Sequence, residues 1–274
     1  MQQIIIDVGG SGIQAYIKEE NTKPSVIVDV EIPYKPSEID EFIYSIYLEL
    51  ADRGLPTLLG IPGPVGSRDK SVYCPPLNTT LNLQIYRSQG VRIVNDTVAN
   101  VLINWNEELS MTRAGLVVTI GTSLGLCTYN VDQNSDMAMI ENFLSHEVAH
   151  EKCLDYSRQL QPLDGYIKER TLGGIFSIGG LVNIYGLKSI EIGNNLYRVS
   201  RENAKRLIPI LTTSEKFSLW LKSLNQCIKQ YLIENSLSDY YDWRYISGGL
   251  ATIAKLDSGI ADAIEESGFK LIKN

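Results

Sequence analysis

Twice in this chain a run of β-branched and aliphatic residues enters a glycine-rich turn and leaves as a second alternating run. The first is QQIIIDVGGSGIQAYIKEE, with its turn at Gly9, Gly10, Ser11 and Gly12; the second is GLVVTIGTSLGLCTYNV, with its turn at Gly121, Thr122 and Ser123. Each reads as strand, glycine turn, strand, which is a β-hairpin and not the strand-turn-helix of a dinucleotide-binding fingerprint. Recurrence of such a unit after about a hundred residues predicts two α/β units built to one plan, although the copies share little sequence. The boundary falls near residue 110, giving a smaller unit over 1–110 and a larger one over 111–274. The last helix of the larger unit is expected to pack back on the smaller one.

A chain of 274 residues, 44% hydrophobic and 21% charged, can bury a large core without disulfides. Its formal charge of -7 and the lack of any basic run argue against a nucleic-acid partner. Cys74, Cys127, Cys153 and Cys227 lie far apart and form no ligand-spaced cluster, which reads as reduced thiols. The amino terminus has no leader-like pattern and no window approaches a membrane-spanning length, so a cytoplasmic protein with no membrane partner is expected.

Between the hairpins, Ser25 to Tyr34 is a third β-branched run. Glu38 to Arg53 carries apolar residues at helical spacing, and Thr57 to Ile61 is a strand opening into PGPVG. Residues 67–84, rich in Pro, Asn and Ser, read as a long loop. Then VRIVNDTVANVLI gives a strand ending in Asn95 and Asp96, with a helix that starts at once and runs to about Leu109. An acidic residue at the carboxyl end of a strand is where open α/β folds place their chemistry. It is also a favoured helix cap, and the residues alone leave both readings open. In the second unit, SHEVAH is expected in a helical stretch, and Arg198 to Ile210 and Glu215 to Glu234 read as helices. YISGGLA is a strand followed by the Gly248-Gly249 turn and a further helix.

Glycine turns let successive backbone N–H groups converge on anionic oxygens. The first two turns suit the phosphates of a nucleotide, and Gly248 and Gly249 suit its sugar, base or α-phosphate. Asp7 fits as the partner, through water, of a phosphate-bound metal ion. A second set, Asn78, Asn95, Asp96, Glu147, His150 and Glu169, holds the planar amides, carboxylates and imidazole that bind hydroxyl-rich sugars. His146 to His150 also matches His-Glu-x-x-His, but the chain has only two histidines, so a zinc site would need a carboxylate as its third ligand.

Taken in order, these motifs resemble the sugar kinase, heat-shock ATPase and actin superfamily, and within it the bacterial glucokinases and ROK-type sugar kinases. DVGGSG is similar to the first phosphate motif and GIPGPVG to the stretch before the sugar-side loop. VNDTVAN is similar to the motif whose Asn holds the sugar and whose Asp is the catalytic base, here Asn95 and Asp96. GTSLG resembles the second phosphate motif, with Ser123 in place of a glycine; EVAH resembles a sugar-binding Glu-x-Gly-His, with Ala149 in place of its glycine. Glu169 with the following RTLGG, the GGLVNIYG segment and YISGGLA also match in order.

The resemblance implies an α/β fold of two ribonuclease H-like (actin-like ATPase) domains with an interdomain cleft. It further implies ATP and Mg²⁺ as cofactors, a sugar as substrate, and a homodimer. The activity implied is transfer of the γ-phosphate of MgATP to the primary hydroxyl of glucose or a similar hexose. Kinases for N-acetylated amino sugars and inactive sugar or nucleotide binders share the pattern, and polyphosphate is an alternative donor. No helix-turn-helix precedes Asp7, which argues against a repressor, and the cysteine-rich zinc loop of many ROK proteins is missing.

Overall fold

The structure is a computed structural model that describes residues 2–19, 22–33, 35–112, 114–131, 143–163, 171–187, 190–192, 196–198, 206–212 and 214–272. Strands β1 (Gln2–Val8) and β2 (Gly12–Glu19) form the first hairpin, and β3 (Ser25–Glu31) continues it antiparallel. Helix α1 (Pro36–Ala51) opens with Pro36, whose missing N–H costs nothing in a first turn. Its buried stripe of Ile39, Ile43, Ile46, Tyr47 and Leu50 follows the 3.6-residue period, and the chain returns as β4 (Thr57–Ile61), parallel to β1.

The segment expected as a plain loop contains a small hairpin, β5 (Ser71–Cys74) with β6 (Thr79–Asn82), where the buried residues alternate. After α2 (Gln84–Arg87), β7 (Arg92–Asn95) pairs parallel to β4 and leads without a break into α3 (Asp96–Ile103). That helix is shorter than expected. Asn104 at its end donates to the Asn100 carbonyl at 2.8 Å, and Asn106 accepts from the Leu109 N–H to start α4 (Glu107–Met111). Two asparagines thus offer the backbone alternatives to a continuous helix.

The second unit repeats the frame with β8 (Ala114–Ile120), β9 (Leu124–Asn130) and β10 (Phe143–His146). Before the sheet resumes come α5 (Ser157–Leu160), α6 (Leu172–Ile175), α7 (Ile178–Ile184) and the ribbon β11 (Ile190–Ile192) with β12 (Leu196–Arg198). Next are α8 (Ile208–Leu211) and the long α9 (Glu215–Glu234). Then follow β13 (Arg244–Ser247), α10 (Gly248–Ala254), α11 (Ser258–Glu266) and β14 (Lys270–Leu271). The first sheet has the order β3-β2-β1-β4-β7 and the second β10-β9-β8-β13-β14, with the same sequence of antiparallel and parallel pairings.

Three local expectations are corrected. Ser145 and His146 end a strand, and only a 3₁₀ turn, Val148–His150, follows them. Residues 196–198 are strand, so the helix expected from Arg198 is confined to α8 among the described residues. The last helix packs on α9, α10 and β14, because Ile260 and Ile264 on its apolar face join the second unit's core.

One core lies in each unit and a third is shared between them. The shared core brings Ile5, Leu58, Val98, Val101 and Leu102 against Val117, Tyr129, Tyr245 and Ile272. Helix α3 runs through it, and two glycines let it approach both sheets. A Cβ on Gly60 of β4 would lie 2.3 Å from the Ala99 Cβ, and one on Gly125 of β9 would lie 2.1 Å from the Thr97 Cγ2. Gly125, read as part of a phosphate-type turn, therefore has a packing role.

Candidate functional site

The parallel strands β1, β4 and β7 end side by side, which puts Asp7 next to Gly60 and Ile61 next to Asn95. Asn95 is the cap of α3: its Oδ1 accepts from the Thr97 N–H at 2.9 Å, and its Nδ2 donates to the Gly63 carbonyl at 2.9 Å. The cap of the opening pair is therefore Asn95, and Asp96, the first helical residue, lines the cavity beside it. The Asn95 amide also pins the PGP loop, in which Gly63 has a left-handed φ of 144°.

In the second unit β8 and β13 end in register, and the Thr119 and Ser247 hydroxyls lie 2.8 Å apart. Gly248 follows at a φ of 77°, where a Cβ would sit 3.0 Å from the Ile120 carbonyl. Only glycine adopts that turn into α10 without strain. The GTSLG turn is held from behind: the Ile178 N–H at the start of α7 donates to the Gly121 carbonyl at 2.8 Å, and the Ser177 hydroxyl caps that helix. The two glycine turns also meet, since a Cβ on Gly10 would fall 2.6 Å from the Thr122 Cβ.

A cavity of about 630 Å³ lies over these ends, within the usual range for a small-molecule site. Asp7, Gly9, Gly10, Ser11, Gly12, Asn95, Asp96, Gly121, Thr122, Ser123, Glu147, His150, Gly248 and Gly249 all line it. Asn78 does not. It is exposed at the end of a 3₁₀ turn with a left-handed φ of 50°, and its Oδ1 accepts from the Tyr73 hydroxyl at 2.9 Å. Glu169 lies outside the described residues.

Burial pushes Asp96 up to about 7, and the Glu147 charge adds to the rise; the backbone N–H groups of Thr97 and of Asp96 itself oppose it. Asp7 is also raised to about 7, first by burial and then by the charge of Asp96, against a hydrogen bond from the Asn100 side chain. Two carboxylates near neutrality in one cavity mark a candidate site for proton transfer or metal-linked chemistry.

Glu147 precedes the 3₁₀ turn and His150 ends it, with the Glu147 Oε2 at 3.5 Å from the His150 Nε2. Each side chain is 46% exposed. Between them Ala149 is buried against Gly173, where a Cβ would lie 2.9 Å from that of Ala149. The departure from a glycine at 149 is thus matched by a glycine in α6. The zinc reading of the same segment does not survive: His146 ends a strand, donates or accepts at Thr128 Oγ1 at 2.8 Å, and shares no helix with His150. Among the described residues no trio of His, Cys, Asp or Glu is grouped to hold a metal. The sequence reading missed Asn100, Thr119, Ile178 and Ser247, all of which line the cavity. Asn100 alone carried a signal, being one turn after Asp96 on the same helix.

No protein-family model matches the sequence, and no curated protein matches it. Solved structures do match. A ROK-family glucokinase from Streptomyces griseus, determined with glucose and AMPPNP, shares 15% identity at a TM-score of 0.56 over 97% of this chain and 88% of its own. A candidate N-acetylmannosamine kinase from Listeria monocytogenes shares 14% at 0.58 over 100% and 94%. A ROK-family transcriptional regulator, homologous to the E. coli MLC protein, shares 17% at 0.52 over 98% and 73%. The chain has the α/β fold of the ROK and glucokinase-type sugar kinases.

Proposed function

We propose that the protein is an ATP-dependent hexose kinase that phosphorylates the primary hydroxyl of glucose or a similar hexose. The observation that carries this reading is that Asp96 shares one cavity with both glycine turns and with the Glu147–His150 pair. We read the two sheets as two ribonuclease H-like domains with the substrates between them, and ATP with Mg²⁺ as the bound cofactor.

The residues present fit that cofactor. A Cβ on Gly121 would meet nothing within 4 Å, so the turn leaves open space at the cavity wall. Turn-closing bonds occupy the N–H groups of Gly9 and Gly121, so donation to an anion falls to Gly10, Ser11, Thr122 and Ser123 at the tips. Asp7 is the carboxylate for magnesium through water, a mode that suits an ion that keeps much of its hydration. When bound, the cofactor supplies the phosphoryl group and neutralises its charge.

Asp96 then acts as the general base, accepting the proton of the attacking hydroxyl at its carboxylate. A pKa near 7 keeps it a competent acceptor at neutral pH. Glu147 and His150 hold ring hydroxyls, with Asn95 adding a second amide hydrogen beyond the one given to Gly63. An amino-sugar kinase is the second reading, favoured by the fold likeness to the Listeria protein.

The test is a panel of glucose, mannose, N-acetylglucosamine and N-acetylmannosamine against ATP and polyphosphate, with and without Mg²⁺. Formation of glucose 6-phosphate from ATP only with Mg²⁺ is the expected result. Phosphorylation of the acetylated sugars alone would replace it with the second reading. Sugar binding without any product would make the protein a binder.

A further inference from the structure

Strand register sets up a correspondence between the two units. In the first, Asp7, one residue before the end of β1, pairs with Gln14 of β2 and with Gly60 of β4. In the second, Thr119, one residue before the end of β8, pairs with Gly125 of β9 and with Ser247 of β13. Two residues earlier on the same faces, Ile5, Leu58, Val117 and Tyr245 all lie in the shared core. Thr119 is therefore the counterpart of Asp7, and both line the cavity.

The chemistry at the two positions is opposite. Asp7, when ionised, only accepts hydrogen bonds, whereas Thr119 and Ser247 bring together two hydroxyls 2.8 Å apart. One hydroxyl proton closes that bond and the other is left to donate. Ser247 is 1% exposed and Thr119 is half-buried, so the arrangement that serves the cavity has Ser247 donating to Thr119 and Thr119 donating outward. Thr119 also stands beside Gly248, since a Cβ on that glycine would lie 3.0 Å from the Thr119 Cγ2. Asp7, Asp29, Asp96 and Glu147 already line the cavity, so a further carboxylate at this place would repel an anion that a hydroxyl attracts.

We propose that Thr119, oriented by Ser247, is a nucleotide-binding residue whose hydroxyl donates to a phosphate oxygen of the magnesium-nucleotide, serving from the second unit as Asp7 does from the first. The inference rests on the kinase reading above and assigns the hydroxyl pair to the phosphates, not to the nucleoside or the hexose.

The experiment compares wild type with Thr119→Val, Thr119→Ser and Ser247→Ala. Binding of MgADP and of hexose is measured by calorimetry, and binding of adenosine by competition against MgADP. Thr119→Val is expected to weaken MgADP about tenfold or more, the range for a hydrogen bond to a charged group, and Ser247→Ala about threefold. Thr119→Ser should stay within about threefold of wild type, and adenosine and hexose within about twofold in every variant. Melting curves report folding, and Thr119→Ala takes the place of Thr119→Val if the valine variant does not fold. Unchanged MgADP binding in folded Thr119→Val or Ser247→Ala overturns the proposal. So does an equal loss in Thr119→Ser, which would make the methyl against Gly248 the cause, or a loss of adenosine or hexose in step with MgADP. Wild type that binds MgADP but phosphorylates no sugar sinks the kinase reading alone, since the binding ratios still decide the role of Thr119. Wild type that binds no MgADP overturns both.

Discussion

The two sheets have one strand order and differ in what is attached to it. In the first, the fifth strand, β7, delivers the chain straight into α3 and so presents Asp96. In the second, the fifth strand is the two-residue β14, and Ile272 behind it is core. The first sheet joins its third and fourth strands through α1 alone; the second places the Glu147–His150 turn and α5 to α9 in the same interval. The common frame therefore supplies a pair of glycine turns, one from each hairpin. The differences supply Asp96 and one insertion, so the candidate phosphate turns are doubled while the candidate base and the candidate sugar contacts are each single.

Removing the candidate base is the strongest way to break this comparison. Asp96→Asn is expected to lower turnover by roughly 10²-fold or more while hexose and MgADP still bind, as steady-state kinetics and calorimetry would report. The same variant has a second signature. Asp96 ionises in the folded protein near 7, against an ordinary value of 3.8, so the folded form holds its proton more tightly than the unfolded chain does. Stability is therefore lost as pH rises from about 4 to about 7, and removing the charge restores it above that window. Asp96→Asn should stabilise the protein by about 1 to 3 kcal/mol near pH 8 and by little near pH 4, measured by thermal or urea melting.

The packing of α3 is the next test. Gly60→Ala and Gly125→Ala each add a methyl where the helix touches a sheet, and each should cost about 1 to 3 kcal/mol in urea unfolding. Gly125→Ala should recover when combined with Thr97→Ser, which removes the opposing methyl; lack of recovery would detach Gly125 from α3. The smallest effect is expected at Asn78. Asn78→Ala should leave the hexose KM within about twofold, because its amide is exposed and bonded to Tyr73 outside the cavity lining. A tenfold rise would return Asn78 to the sugar side.

Much of the frame was legible because its signals are local. Alternation with a glycine turn marks both hairpins, and the apolar stripe of α1 needs no tertiary information. SHEVAH misled because helical spacing between Glu147 and His150 is met as well by a 3₁₀ turn after a strand. The break after Ile103 depends on the carbonyl to which Asn104 donates and the N–H from which Asn106 accepts, and Leu109 still fits a helical stripe. Within the site, Asp96 could be singled out but the choice of Asn95 as the helix cap could not, since Asn95 and Asp96 are equally good caps in a sequence. Thr119, Ser247 and Ile178 have meaning only once β8, β13 and α7 are assembled around the second turn.

The shared core has a consequence for how the chain is made. Val98, Val101 and Leu102 are complete only when Val117, Tyr129, Tyr245 and Ile272 surround them. During synthesis the amino-terminal half leaves the ribosome with one flank of α3 still uncovered, and it stays so until Ile272 has emerged. A nascent chain in that condition is one that chaperones bind, and a cut between residues 110 and 114 should yield two sticky fragments instead of two working domains.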